Sequence, residues 1–400
     1  MSTSTKCRVF ICYDFVYPFQ NANSNYIRGF AQAVAETDDF EVIVIGAKQT
    51  KDKQMDQKLS RYNKTQYINM PIPVAKLPFR LINHFTFGKR LCEELEHFQP
   101  TDKDHIILYS DYPFTSGAIL KKYAALNKAG HVYNIVVEWF QPYQYKFGKL
   151  NPDYILWNLN FQWYLPKFKK LIPISHYLAN HFEKLGCRCL TIPCLSDAVT
   201  QKYAGWGKRH EKVYHFTYVG SFVRKDAIPE MVQGLTKLSL QALNKLKFHF
   251  TAVTEGNVRD ECGITPEEWE KIKPHLVFHG WMEYEELLDF YSRMDYLFLA
   301  REENVMTLSN FPSKVPEMMG YGIVPVCSDA GDYTKDYLRD GYDSLVFLGC
   351  SSRSCAEAFE RALNVSPDQL SIMRENARKT VENRFDYHNW KQKVQAFLND

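Results

Sequence analysis

Residues 310–328 read Asn-Phe-Pro-Ser-Lys-Val-Pro-Glu-Met-Met-Gly-Tyr-Gly-Ile-Val-Pro-Val-Cys-Ser. A polar opening, a short amphipathic stretch, a glycine turn and an apolar β-rich run follow one another without a break. Ser313 is of a preferred N-cap type, and Pro316 is tolerated in a helix's first turn, so a helix is expected over 314–321. The run 323–328 then reads as a buried strand. Just upstream, the apolar run 296–300 ends in Arg301-Glu302-Glu303-Asn304. Strand, polar loop, helix and strand in this order make one unit of a parallel sheet.

Outward from this unit the same alternation fills the chain. Strand-like runs are expected at 8–13, 40–45, 105–109, 131–138 and 171–175, then at 214–220, 247–253, 276–280, 296–300 and 323–328. Helical patterns lie between them at 25–35, 85–97, 115–127, 176–185, 228–239, 284–293 and 314–321. Near-continuous apolar strands alternating with amphipathic helices indicate parallel sheets covered on both faces. The pattern occurs twice, so the expected fold is α/β with two doubly wound Rossmann-like domains. The boundary is expected near 192–207, where Pro193 breaks strand pairing and a polar stretch lacks a period. This gives a first domain at 1–195, a second at 196–384 and a terminal segment at 385–400.

Composition narrows the function classes. The chain has 400 residues, 45% of them hydrophobic, enough for full-sized cores. Its 49 Lys and Arg against 46 Asp and Glu leave a formal charge of +3. That balance argues against a nucleic-acid binder. No window holds the roughly 18 consecutive apolar residues of a membrane-spanning helix. The ten cysteines are scattered, which fits a reducing compartment, so a cytoplasmic location is expected. No His pair has metal-site spacing, and Asp102-Lys103-Asp104 precedes a strand and reads as a solvated turn, so no metal site is expected.

Ligands of open parallel sheets bind outside the carboxyl ends of the strands. The strand at 214–220 ends in Gly220-Ser221-Phe222-Val223-Arg224-Lys225-Asp226. Glycine admits a phosphate close to the backbone, Arg224 can fork onto two phosphate oxygens, and Lys225 is a point charge. The helix expected from Ser313 offers a partial positive charge with Lys314 beside it. Glu317 lies one turn further on and can accept hydrogen bonds from two ribose hydroxyls.

Phe311-Pro312-Ser313-Lys314 with Glu317, followed by Gly322 and Pro325-Val326, resembles the donor-binding helix of glycosyltransferase family 4, which has the GT-B fold. Tyr218-Val219-Gly220-Ser221-Phe222 with Lys225 resembles that family's first donor loop. Phe278-His279-Gly280-Trp281 followed by Glu285-Glu286-Leu287 resembles its base-binding turn. Gly331-Asp332-Tyr333 and Asp340-Gly341-Tyr342-Asp343 resemble the segments after the donor helix. The segment from Phe385 onward resembles the terminal helix that returns to the first domain. The resemblance implies a nucleotide-diphosphate sugar as co-substrate, retaining transfer, no metal cofactor, and two domains facing across a cleft. It assigns Arg224, Lys225 and Lys314 to the diphosphate, Glu317 to the ribose, and Gly280 and Trp281 to the base. One departure stands out: Ser309 occupies the position eight before Glu317, where the family often carries a first glutamate. Arg301 or Asn304 is then expected to serve the sugar.

In the first domain, Asn23 and Ser24 at a helix start are candidates for acceptor or donor phosphate, with helix capping as the plain alternative. The strand at 131–138 ends in Glu138-Trp139. Glu138 can orient or deprotonate an acceptor hydroxyl, and Trp139 can stack on a sugar ring. From 139 to 168, eleven residues are aromatic and lysines interleave, which leaves open packing under a loop or a peripheral membrane contact. The expected function is transfer to a glycan or lipid-linked acceptor in cell-surface polysaccharide synthesis, at the inner face of the plasma membrane or in the cytoplasm. A nucleotide-sugar 2-epimerase and a catalytically inactive carbohydrate-binding protein are the alternatives.

Overall fold

The computed structural model describes residues 6–50, 58–74, 79–198, 213–223 and 225–400. The chain divides into two compact units, Met1–Leu195 with Tyr387–Asp400, and Ser196–Asp386. Phe385 and Asp386 therefore stay with the second unit, and the chain passes to the first unit at Tyr387.

The first unit is built on eight strands: β1 (Cys7–Tyr13), β2 (Phe40–Thr50), β3 (Ser60–Tyr62), β4 (Thr65–Pro73), β5 (His105–Tyr109), β6 (Val132–Val136), β7 (Lys170–Pro173) and β8 (Arg188–Cys189). They lie in the order β3-β4-β2-β1-β5-β6-β7-β8. Neighbours are parallel except β3, which pairs antiparallel with β4. The central strands are buried on both faces, which is why 9–13 of β1 and 106–109 of β5 read as unbroken apolar runs. Going outward, β2 and the β3–β4 hairpin follow β1 on one side and β6, β7 and β8 follow β5 on the other, so the sheet's switch point lies between β1 and β5.

The hairpin of β3 and β4 has no counterpart among the expected elements. Its polar Gln66 and Asn69 and its prolines break the apolar run, and its place at the sheet's edge tolerates them. The helix expected over 115–127 is two helices, Pro113–Lys122 and Ala124–Ala129, broken at Tyr123 with φ −109° and ψ 38°. Asp104, expected in a solvated turn, is 2% exposed. Its carboxylate takes hydrogen bonds from the Arg8 guanidinium at 2.6 Å and from the Thr101 amide at 2.7 Å. The final helix, Lys391–Asn399, packs on this unit. The Tyr133 hydroxyl donates to the Leu398 carbonyl at 3.2 Å, and the Phe397 ring lies 5.8 Å from that of Tyr133.

The second unit carries six parallel strands: β9 (Tyr214–Val219), β10 (Leu246–Thr251), β11 (Leu276–Gly280), β12 (Tyr296–Leu299), β13 (Val324–Ser328) and β14 (Leu345–Phe347). Their order is β11-β10-β9-β12-β13-β14, which puts the switch point between β9 and β12. One face is filled by Phe216, Phe248 and Phe298, which meet Phe359 of the helix Ser352–Leu363. The opposite face carries a row of imidazoles across three strands. His215 Nδ1 lies 2.9 Å from His249 Nε2, and His249 Nδ1 lies 2.9 Å from His279 Nε2.

Candidate functional site

In each unit the switch point gathers the residues with chemistry. In the second unit, β9 is followed directly by Gly220, whose φ of 140° is costly for any residue with a Cβ. A Cβ there would stand 2.7 Å from the Lys314 ammonium, so glycine is what lets that cation reach the strand end. Lys314 opens the helix Lys314–Gly320 and keeps one-fifth of its side chain exposed.

Beneath it lies Asp226, 1% exposed. Its carboxylate accepts from Arg301 Nε at 2.7 Å, from Lys314 Nζ at 3.2 Å and from the Tyr218 hydroxyl at 2.7 Å. Burial alone would raise the Asp226 pKa, but the charges of Arg301 and Lys314 outweigh it and hold the carboxyl far below its usual range. Burial lowers the Lys314 pKa, and Asp226 opposes that shift. Arg301 is anchored further: Nη1 donates to Asn310 at 3.1 Å, and its backbone N–H and C=O both bond the Ser328 hydroxyl, at 2.6 and 2.7 Å. The ends of β12 and β13 are tied together by that hydroxyl.

These contacts correct three expectations. Arg301, expected on the sugar, is 3% exposed and is spent on Asp226 and Asn310, because a guanidinium buried at a strand end needs acceptors there. Asn304 caps the helix Val305–Leu308, its side-chain oxygen accepting from Met306 and Thr307 amides at 3.0 and 3.2 Å. Ser313 has helical dihedrals and makes no side-chain cap bond, so that short helix starts without the hydroxyl cap.

The other residues expected to hold a donor stand along the same carboxyl edge. Ser221 is exposed, and its carbonyl accepts from the Tyr218 hydroxyl at 3.1 Å. Gly280 ends β11 with φ 74°, and open space surrounds the position of its missing Cβ. Trp281 follows it, 78% exposed. Glu317 sits half-buried in the first turn after Lys314. Lys225 is half-buried and adds its charge to Asp226 and Lys314. Arg224 lies outside the described residues.

In the first unit, the ends of β1 and β5 carry Asp14 and Asp111, and the loop after β6 carries Glu138. Burial raises the Asp14 pKa to about 6. Burial, then the charges of Asp14 and Glu138, raise Asp111 to about 7. Asp14 and Asp111 line a cavity of about 610 Å³ with Gln20, Lys48, Asn83 and Arg90. Carboxylates, amides and cations together suit a ligand rich in hydroxyls.

Sequence reasoning passed over both aspartates, and over Asp226 as a counter-ion. The available signal was position: each acid directly follows, or shortly follows, an apolar strand. Ser24, expected at a ligand, is wholly buried, and its hydroxyl donates to the Val16 carbonyl at 2.9 Å. The helix starts at Ala22, earlier than expected. Asn21 caps it, accepting from the Ser24 amide at 3.0 Å, and Asn23 lies half-buried in the first turn. Trp139 is engaged in packing, its ring 4.7 Å from Phe161 and 4.5 Å from His181.

Residues 214–365, all in the second unit, match the family model described as glycosyl transferases group 1. Solved structures align over nearly the whole chain. A sucrose-phosphate synthase from Thermosynechococcus elongatus has a TM-score of 0.70 at 14% identity, covering 98% of both chains. An α,α-trehalose-phosphate synthase (UDP-forming) from Burkholderia xenovorans, in complex with glucose-6-phosphate, has a TM-score of 0.69 at 12% identity, covering 98% of this chain and 100% of that one. HepE of Anabaena, in complex with UDP and glucose, has a TM-score of 0.63 at 12% identity, covering 98% and 99%. The fold is GT-B. A comparison with curated protein sequences gives no match. In this GT-B chain both sheets thus bring charged groups to their switch points, cations in the second unit and carboxylates in the first.

Proposed function

We propose that the protein transfers a glycosyl group from a nucleotide-diphosphate sugar to a hydroxyl of a glycan or lipid-linked acceptor, with retention, as glycosyltransferase family 4 does. The observation that carries this reading is the Lys314 ammonium, set against Gly220 at the β9–β12 switch point over a carboxylate already shared with Arg301. One negative charge on Asp226 faces positive charges on Arg301, Lys314 and Lys225, which leaves +2 in the group. A diphosphate is the complementary ligand.

When the bond from sugar to phosphate breaks, its electron pair goes to the leaving phosphate oxygen. Lys314 and Lys225, with Arg224, stabilise that growing charge, and one well-placed group contributes about 3–4 kcal/mol to such a step. The acceptor oxygen bonds to the anomeric carbon, and its proton passes to the departing phosphate on the same face. Trp281 offers an exposed ring to the base and Glu317 a carboxylate to the ribose. The cavity at Asp14 and Asp111 takes the acceptor, and Glu138, whose charge reaches Asp111, orients its hydroxyl. The cations do the work of a divalent metal, so turnover is expected to survive a chelator. The UDP, glucose and glucose-6-phosphate held by the similar structures support these substrate classes. A cytoplasmic enzyme of cell-surface polysaccharide synthesis fits this chemistry.

Purified protein incubated with a panel of nucleotide-diphosphate sugars and acceptors tests the reading through release of free nucleoside diphosphate. Release that needs Lys314 is the expected result. An isomerised nucleotide sugar would move the assignment to an epimerase. Equal stabilisation of parent and Lys314→Ala by nucleoside diphosphate would remove the site.

A further inference from the structure

One stretch of the first unit carries apolar side chains on two opposite flanks. The helix Pro152–Leu159 continues through the π turn Asn160–Tyr164 into the 3-10 turn Leu165–Phe168. Trp157, Phe161, Leu165 and Phe168 form its buried flank. Ile155, Leu159 and Trp163, spaced by four residues along the other flank, are 49%, 38% and 67% exposed. Ahead of the helix, the turn Gly148–Leu150 holds Phe147 and Leu150 out at 72% and 80% exposure. An exposed apolar patch marks an interaction surface.

Charge says which medium. Lys146 and Lys149 flank the exposed Phe147, and Lys167 and Lys169 follow the helix; all four are exposed. From 139 to 170 the sole acidic residue is Asp153, in the helix's first turn. A second copy of the same face would bring like charges together. An anionic surface with an apolar interior satisfies both the lysines and the bare rings.

We propose that this face docks on an anionic phospholipid bilayer, with Phe147 and Leu150 inserted and Lys146 and Lys149 against the headgroup phosphates. No helix among the described residues is long and apolar enough to cross a membrane, so this contact is one of lying on the surface. The docking extends the transfer reaction by placing a lipid-linked acceptor beside the unit. Binding is measured without turnover, so the failure of either reading leaves the other standing.

The test is flotation of the full chain with phosphatidylcholine vesicles, with and without phosphatidylglycerol. Binding to the phosphatidylglycerol vesicles alone, weakened by salt, is the expected result. The double substitution Lys146→Ala with Lys149→Ala should weaken it about twenty-five-fold, at about fivefold for each cation near an anionic surface. Phe147→Ser with Leu150→Ser should weaken it by at least tenfold. Both variants should keep the parent's melting temperature and its binding of nucleoside diphosphate. Equal binding to neutral vesicles, no binding at all, or variants that bind like the parent would overturn the proposal. So would a dimer that dissolves in Phe147→Ser with Leu150→Ser while vesicles go unbound, which would assign the face to a second copy.

Discussion

Replacing Asp226 with Asn removes a carboxylate that holds Arg301 and Lys314 together. Both partners are donors only, and a third bond comes from the Tyr218 hydroxyl. An Asn offers one acceptor oxygen, and its amide N–H₂ must face a cation. Breaking a buried pair from one side costs about 3–5 kcal/mol, because the other charges are left without a counter-ion. In a unit of this size that is a melting-temperature loss of roughly 6–20 °C, at about 2–4 °C per kcal/mol. The sign with pH is fixed as well. The Asp226 pKa is depressed in the fold, so its contribution is present above the unfolded value near 4 and lost as pH falls below it. The gap between parent and Asp226→Asn should therefore narrow in acid. Nucleoside diphosphate should stabilise the variant more than the parent, because its phosphates supply the missing negative charge. Thermal denaturation at pH 7.5 and about pH 3, with and without nucleoside diphosphate, measures all three effects. A variant melting within a degree of the parent at pH 7.5 would refute the counter-ion argument.

Other outcomes follow from the same geometry. Asp111, raised to about 7, costs stability as pH climbs from its unfolded range through 7, where it ionises inside the fold. Asp111→Asn should then melt higher than the parent above pH 7, and nucleoside diphosphate release should lose its upper inflection while the one near 6, from Asp14, remains. His249 is held neutral by burial and by His215 and His279, with its pKa lowered to about 3. Stability is thus intact above pH 6.5 and falls below it, by about 2 kcal/mol at pH 5; urea titrations of parent and His249→Gln should show that difference only in the parent. Trp281→Ala should leave the melting temperature unchanged, since the ring is 78% exposed, yet raise the KM for the donor roughly tenfold, measured by initial rates.

The sequence disclosed the strands best where they are buried on both faces. Phe10, Ile11, Ile106, Ile107 and Phe298 sit in runs with no polar alternation. It missed β3 and β4, where Gln66, Asn69 and two prolines dilute the pattern. It missed β8 and β14 as well, each too short to set a period. The cationic site was legible as residue types, because Gly220, Lys225 and Lys314 each follow a strand. Their roles were not all legible. Whether Arg301 points at a ligand or at Asp226 depends on strand order, and β9 lies beside β12 across a long stretch of sequence. The same holds for Asp14 and Asp111, far apart in the chain until β1 and β5 pair.

The second unit enters and leaves the chain at one seam. The Ser196 amide donates to the Phe385 carbonyl at 2.9 Å, Ser196 pairs with Asp386 as a parallel bridge, and the Ala198 amide donates to the Asp386 carboxylate at 3.1 Å. Its two ends are thus stitched side by side, and the residues that hold them are its own. The unit is in effect a plug with both leads on one connector. A chimera that swaps Ser196–Asp386 for the equivalent stretch of another GT-B protein needs only two neighbouring splices and keeps the first unit's own closing helix. Such an exchange offers a direct route to a new second unit on an unaltered first one.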